Sequence, residues 1–192
     1  MAKSKSAEPV FAYAQINAKI MPMDRGEQFE DPLMEEFEKN GYGTVTGGGT
    51  QLGGEGEIAY CGVDIDLFDV AKGVPFVCQF LTEHGAPKGS KLTYEADGKK
   101  VDVPFGSLEG LAVYLNGTEL PDEVYQQCDV NHVVEEIMRL ISGKGAIFNH
   151  WQGPTETALY LYGESADEMR HLISGFLAQY PLCQKSRVVR IA

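Results

Sequence analysis

The residues of this chain able to do chemistry are four histidines, four cysteines, a run of three glycines and a loop crowded with acids. His84, His132, His150 and His171 form no HxH or HExxH pattern. None of Cys61, Cys78, Cys128 and Cys183 stands in a CxxC pair or beside a histidine at ligand spacing. No metal site and no cofactor is therefore expected. The thiols read as buried, free cysteines of a reducing compartment. A nucleophilic pair of Cys61 or Cys128 with a histidine needs a third, orienting group, which no spacing supplies. No catalytic residue is assigned, and the reading leans away from an enzyme.

Gly47-Gly48-Gly49 invites comparison with a phosphate loop. Such a loop opens a helix and ends in Lys-Ser or Lys-Thr. Here Thr50-Gln51 follow and strand-like sequence lies on both sides, so the glycines are expected in a bulged strand or packed closely under a helix. The acidic loop holds Asp24, Arg25, Glu27, Glu30 and Asp31. It has two readings: a buried arginine–carboxylate fork that stiffens the loop, or a surface for a cationic partner. Asp64 and Asp66 alternate with Val63, Ile65 and Leu67 and should point away from the core. These seven charged residues are the expected partner surface. A second set, Gly47, Gly48, Gly49, Gln51, Tyr60, His150 and Trp151, is expected to wall a ligand cleft between two halves of the chain.

The elements that would hold these residues are legible as periodicities. Val10 to Ile20 alternates as a strand. Asp31-Pro32 reads as a helix start, with Leu33 and Phe37 inward and Asn40-Gly41 as the stop. Gly43 to Leu52 and Glu57 to Phe68 read as two strands around Gly53-Gly54-Glu55-Gly56. Ile58 and Tyr60 sit at even positions, whereas Val63, Ile65 and Leu67 sit at odd ones. A bulge at Cys61-Gly62 would reconcile them. Val74, Val77, Cys78 and Leu81 give a helix over 72–84, and 91–96 is a short strand. Residues 98–110 read as a connector with a short edge strand at Val101 to Val103.

The order then recurs. Residues 111–115 read as a strand, 130–142 as a helix, and 146–151 with 155–162 as a hairpin. Ser165 with Glu168 makes a capping box for a helix over 165–180, and 187–191 is a last strand. Hence the expected fold class: α+β, two tandem ferredoxin-like (βαββαβ) units with antiparallel sheets covered by helices. Residues 1–9 would be a disordered tail, 10–97 the first unit, 98–110 the connector and 111–192 the second. The chain resembles a tandem ferredoxin-like protein in its order of elements, and that order assigns no activity.

Bulk charge narrows the function classes. With 16 basic and 28 acidic residues, the net charge is −12. Such a field repels phosphate backbones and steers basic partners. The aromatic hairpin Phe148, Trp151, Tyr160 and Tyr162 carries no basic residue, which argues against base stacking. No signal-like apolar run opens the sequence and no span of about 20 apolar residues occurs, so a cytoplasmic protein without membrane contact is expected. The expected function is a non-enzymatic acidic module that binds a basic protein, as an inhibitor or immunity-type protein would. The alternative is a small-molecule-binding protein or enzyme with a cleft between the units.

Overall fold

The computed structural model describes residues 8–192. It is a mixed α+β structure with two antiparallel sheets and helices. The chain divides into two compact units: residues 59–106 with the segment up to Gln51, and residues 107–192 with the segment Leu52–Ile58. The expected tail, residues 1–9, lies outside the described residues except for Glu8 and Pro9. No helix among the described residues is long and apolar enough to cross a membrane.

The first unit opens with strand β1 (Val10–Ile16). Helix α1 (Pro22–Arg25), a π-turn (Gly26–Glu30) and helix α2 (Asp31–Asn40) follow without a break. The expected helix start at Asp31-Pro32 is corrected here: the helical run starts at Pro22, one turn and a π-turn earlier. Pro32 has no N–H, so it cannot make the ordinary bond to the carbonyl four residues back. The run accommodates it by widening, and the Asp31 amide bonds to the Gly26 carbonyl five residues back. Gly41 ends α2 at φ 67°, a left-handed cap that suits glycine.

Strands β2 (Gly43–Leu52) and β3 (Ile58–Leu67), helix α3 (Val70–Glu83), β4 (Ser90–Ala96) and β5 (Lys99–Phe105) complete the first unit's elements. Asp69 caps α3 by accepting from the Lys72 amide. The sheet order is β2-β3-β1-β4-β5. Its fifth strand, β5, occupies most of the segment read as a connector and joins β4 through Asp97-Gly98, both at positive φ. Ala12, Ala14, Ile16, Cys61, Val63, Ile65 and Leu67 form one buried face with Leu33, Phe37, Val77 and Leu81 from the helices.

The expected bulge at Cys61-Gly62 is absent. β1 and β3 stay in register from Val10↔Leu67 to Ile16↔Cys61, with Gln15 opposite Gly62. Ile58, at an even position of β3, is buried as well. The shift in alternation lies in β2 instead. Gly43 faces Phe37, and Gly48 faces Arg25 and Glu30. Five positions separate two residues on the same helix-covered side, so the alternation slips once between them.

The second unit contains β6 (Glu109–Asn116), α4 (Asp122–Gln127), α5 (Val130–Leu140), β7 (Gly145–Gln152), β8 (Glu156–Gly163), α6 (Ala166–Gln179) and β9 (Arg187–Arg190). Its sheet order is β7-β8-β6-β9. Leu111, Val113, Leu115, Leu159 and Leu161 form one sheet face, packed with Val133 and Ile137 of α5 and Met169 and Ile173 of α6. Ser165 caps α6 by accepting from the Glu168 amide, as its sequence position implies. On the opposite face Ala112, Tyr160 and Tyr162 are also buried.

Candidate functional site

In the first unit the acidic segment has two sides. Arg25 turns inward and is only 8% exposed. Its Nε donates to Glu30 Oε1 at 2.5 Å, and its Nη1 donates to Thr50 Oγ1 at 3.0 Å. The π-turn explains this pairing. Residues five apart diverge on an α-helix, but one wide turn brings them onto the same side. Gly48 makes the room, since a Cβ there would run into Glu30 and the Gly62 carbonyl. Of the two readings of the loop, Arg25 and Glu30 follow the buried fork and leave the exposed surface.

The outward side keeps its acids. Asp24, Glu27, Asp31, Glu35 and Glu38 are exposed. Asp31, Glu35 and Glu38, three and four residues apart on α2, share one side of that helix, and Asp24 and Glu27 are exposed on the run that precedes it. Among the described residues none of the five makes a salt bridge, and Lys39 pairs with Glu36 instead. Like charges at this spacing cost a helix roughly 0.2–0.5 kcal/mol per pair.

Asp64 and Asp66 stand half-buried on the sheet face away from the helices, without an ion pair among the described residues. Tyr13 lies across Gly62 on that face. Its phenol is shifted upward, chiefly by burial and then by Tyr60 and Asp64. Phe11, on the same face, is 56% exposed. The Cys61 thiol faces the core, where burial pushes it up to about 12 despite nearby Arg25.

The expected cleft residues do not form one set within either unit. Gly47, Gly48, Gly49, Gln51 and Tyr60 belong to the first unit, whereas His150 and Trp151 belong to the second. His150 does line a cavity of about 650 Å³ inside the second unit. The floor is Leu115, Val134, Leu159 and Leu182. Asn131, Gln152, Thr157 and Cys128 add polar atoms and a thiol. Asp129, at the same cavity, caps α5 through the Asn131 amide. Trp151 is not in this lining. Among the described residues no cluster of His, Cys, Asp and Glu is arranged to hold a metal ion.

One polar network of the second unit lies beyond the sequence reading. The Glu57 carboxylate accepts from Tyr114 at 2.8 Å and from Tyr160 at 2.7 Å. Arg187 lies 3.6 Å from the Tyr114 ring centroid and grips Glu156 with two bonds of 2.8 and 2.7 Å. Burial and the Glu57 carboxylate push the Tyr114 phenol up to about 12, and Tyr160 higher still. Arg187 in turn lowers the Glu156 carboxyl. The only sequence signal is the alternation of Tyr160 with Tyr162 on one strand face.

No family model matches the chain, and no curated protein matches it. Several solved structures are similar at low identity. A complex of TiaS with an isoleucine tRNA, AMPCPP and agmatine has 11% identity over 87% of this chain and 56% of that one, with a TM-score of 0.35. This chain thus spans little more than half of that protein's length. A monooxygenase-like protein from Lactobacillus acidophilus NCFM, described as putative, has 14% identity over 96% and 95% of the two chains, with a TM-score of 0.30. The first two RRM domains of yeast poly(U)-binding protein Pub1 have 10% identity over 95% and 99%, with a TM-score of 0.25. These likenesses are too slight and too diverse to carry a functional argument.

Proposed function

We propose that this chain is a non-enzymatic acidic binding module whose partner is a protein with a basic surface, built as two ferredoxin-like units in tandem. The repeated order of strands around a central first strand supports the architecture, with β5 as an addition to the first unit. The observation that carries the function is the set Asp24, Glu27, Asp31, Glu35 and Glu38. Five exposed carboxylates stand along one helical run, without a cationic partner among the described residues, in a chain of net charge −12. Their mutual repulsion is a cost that a cationic partner relieves, and the same field accelerates encounter with it. An inhibitor or immunity-type role fits this chemistry.

The test is capture from native lysate at low salt, comparing the wild type with a variant whose five acids are changed to their amides. The proposal expects a basic protein to be retained by the wild type and lost by the variant, with the variant at least as stable to heat. Equal retention by both would sink it.

A second reading has its own observation, the 650 Å³ cavity of the second unit, which falls in the size range of small-molecule sites. Among its lining residues there is no lysine or arginine and one aspartate, so a neutral or cationic ligand with an apolar body suits it. Thermal-shift screening of such fragments, with His150→Ala as the control, separates this reading from the first. If no fragment shifts the wild type, the reading fails.

A further inference from the structure

The glycine run that neither reading absorbs lies on the outermost strand of the first sheet. Among the described residues, three of the four sheet edges carry a device against strand addition. β5 has Lys99, Lys100 and Pro104, β7 has a register shift between Ile147 and Asn149, and β9 is four residues long with an arginine at each end. β2 is different. It runs for ten residues, Gly43 to Leu52, without a charged residue or a proline. Thr46, Gly48, Gly49 and Gln51 along it are exposed, and among the described residues β2 has only β3 as a neighbour in the sheet.

The charge beside this edge is specific. Gly47 stands against the Asp64 carboxylate of β3, which lies 3.4 Å from where a Cβ would be. A Cβ on Gly49 would meet nothing within 4 Å. By strand alternation Gly47 and Gly49 share the face that carries Asp64. The outermost strand is therefore bare where the next strand inward presents an acid without an ion pair. A strand added to β2 would lie about 10 Å from β3, two strand spacings away. A lysine or arginine side chain reaches that far, and across Gly47 nothing obstructs it.

We infer that the β2 edge is a docking site for an extended basic segment of a partner protein, which adds as a further strand and sets a lysine or arginine over Gly47 onto Asp64. This rests on the acidic binding-module reading and names where and how the partner would be held. Main-chain bonds supply affinity in such strand addition, and side chains on alternate positions supply specificity. Here the specificity element is the Asp64 carboxylate, with Asp66 two residues along the same face.

The full chain is titrated with a nine-residue amidated peptide alternating lysine and threonine, and with a counterpart alternating glutamate and threonine. Amide exchange is followed at Gly47, Gly48 and Gly49. Support is binding of the lysine peptide only, slowed exchange at those of the three amides that point away from β3, and roughly tenfold weaker binding by Asp64→Asn, as expected for loss of one charge-assisted contact. If the lysine peptide binds while these amides exchange as before, the edge site is overturned and the broader reading stands. The same holds if only a folded basic protein binds. Binding of neither overturns both. A dimer seen by sedimentation without peptide, broken by Gly49→Glu, would assign the edge to a second copy and overturn the peptide site.

Discussion

Gly48→Ala tests the buried fork most sharply, because Gly49→Ala beside it is a matched control. At position 48 the new methyl meets the Glu30 carboxylate and, at 2.8 Å, the Gly62 carbonyl, with Arg25 Nε at 3.1 Å. At position 49 it meets nothing within 4 Å, and neither glycine has a positive φ that would strain an alanine. Overpacking a fitted site costs about 1–3 kcal/mol. If the ion pair parts instead, the cost approaches the roughly 3–5 kcal/mol of a broken buried pair, discounted because Glu30 keeps some exposure. Replacing glycine by alanine returns about 0.4–1 kcal/mol through the unfolded chain. The net expectation is a loss of about 1–3 kcal/mol for Gly48→Ala and a gain of up to about 1 kcal/mol for Gly49→Ala. Urea unfolding followed by far-UV circular dichroism measures both. The sole tryptophan, Trp151, lies in the second unit and would report on that unit. Equal midpoints for the two variants would refute the placement of Glu30 and Arg25 over Gly48.

Other outcomes follow from the same geometry. Tyr114 and Tyr160 are shifted above the ordinary phenol value, so their neutral forms favour the folded state. That contribution is complete below pH 10; the Tyr114 share is lost as pH rises through about 12 and the Tyr160 share at higher pH still. Absorbance at 295 nm during alkaline titration should therefore show Tyr114 and Tyr160 among the late-ionising members of the nine tyrosines, together with loss of structure; ionisation of all nine near pH 10 would contradict the Glu57 network. Glu57→Gln should bring the Tyr114 titration down, since it removes the charge that holds the phenol neutral, and an unchanged curve counts against that cause. Iodoacetamide at pH 8 should label Cys128, which lines the open cavity, and leave Cys61 and Cys183 unmodified until denaturant is added. Rapid native labelling of Cys61 would mean that its strand is not covered.

Much of the fold is readable from the sequence because it rests on local rules. The bounds of β2, the helix carrying Val74, Val77 and Leu81, and the Ser165 cap each depend on neighbours within a turn or a strand. The helical run from Pro22 is not, because Asp31-Pro32 has the form of a helix start, while the π-turn that admits Pro32 leaves no mark in sequence. The Ile58 conflict does not mark a bulge between β1 and β3, which stay in register, and the slip in alternation lies in β2. Of the site, the acidic segment stands in the sequence as two alternatives; Arg25 and Glu30 pair as the fork, while Asp24, Glu27 and Asp31 are exposed. Glu57, Tyr114 and Tyr160 are illegible as a set, because 57 and 103 residues separate the carboxylate from its two donors.

The central claim is that the unpaired carboxylate set binds a basic protein. Its most direct measurement is the dissociation constant of the captured partner across ionic strength, for the wild type and for the variant with Asp24, Glu27, Asp31, Glu35 and Glu38 changed to amides. Screening grows as the Debye length falls from about 10 Å at 0.1 M toward 3 Å at 1 M. The account predicts steep weakening with salt in the wild type and a weak, nearly flat curve in the variant. Coincident curves for the two proteins would contradict it.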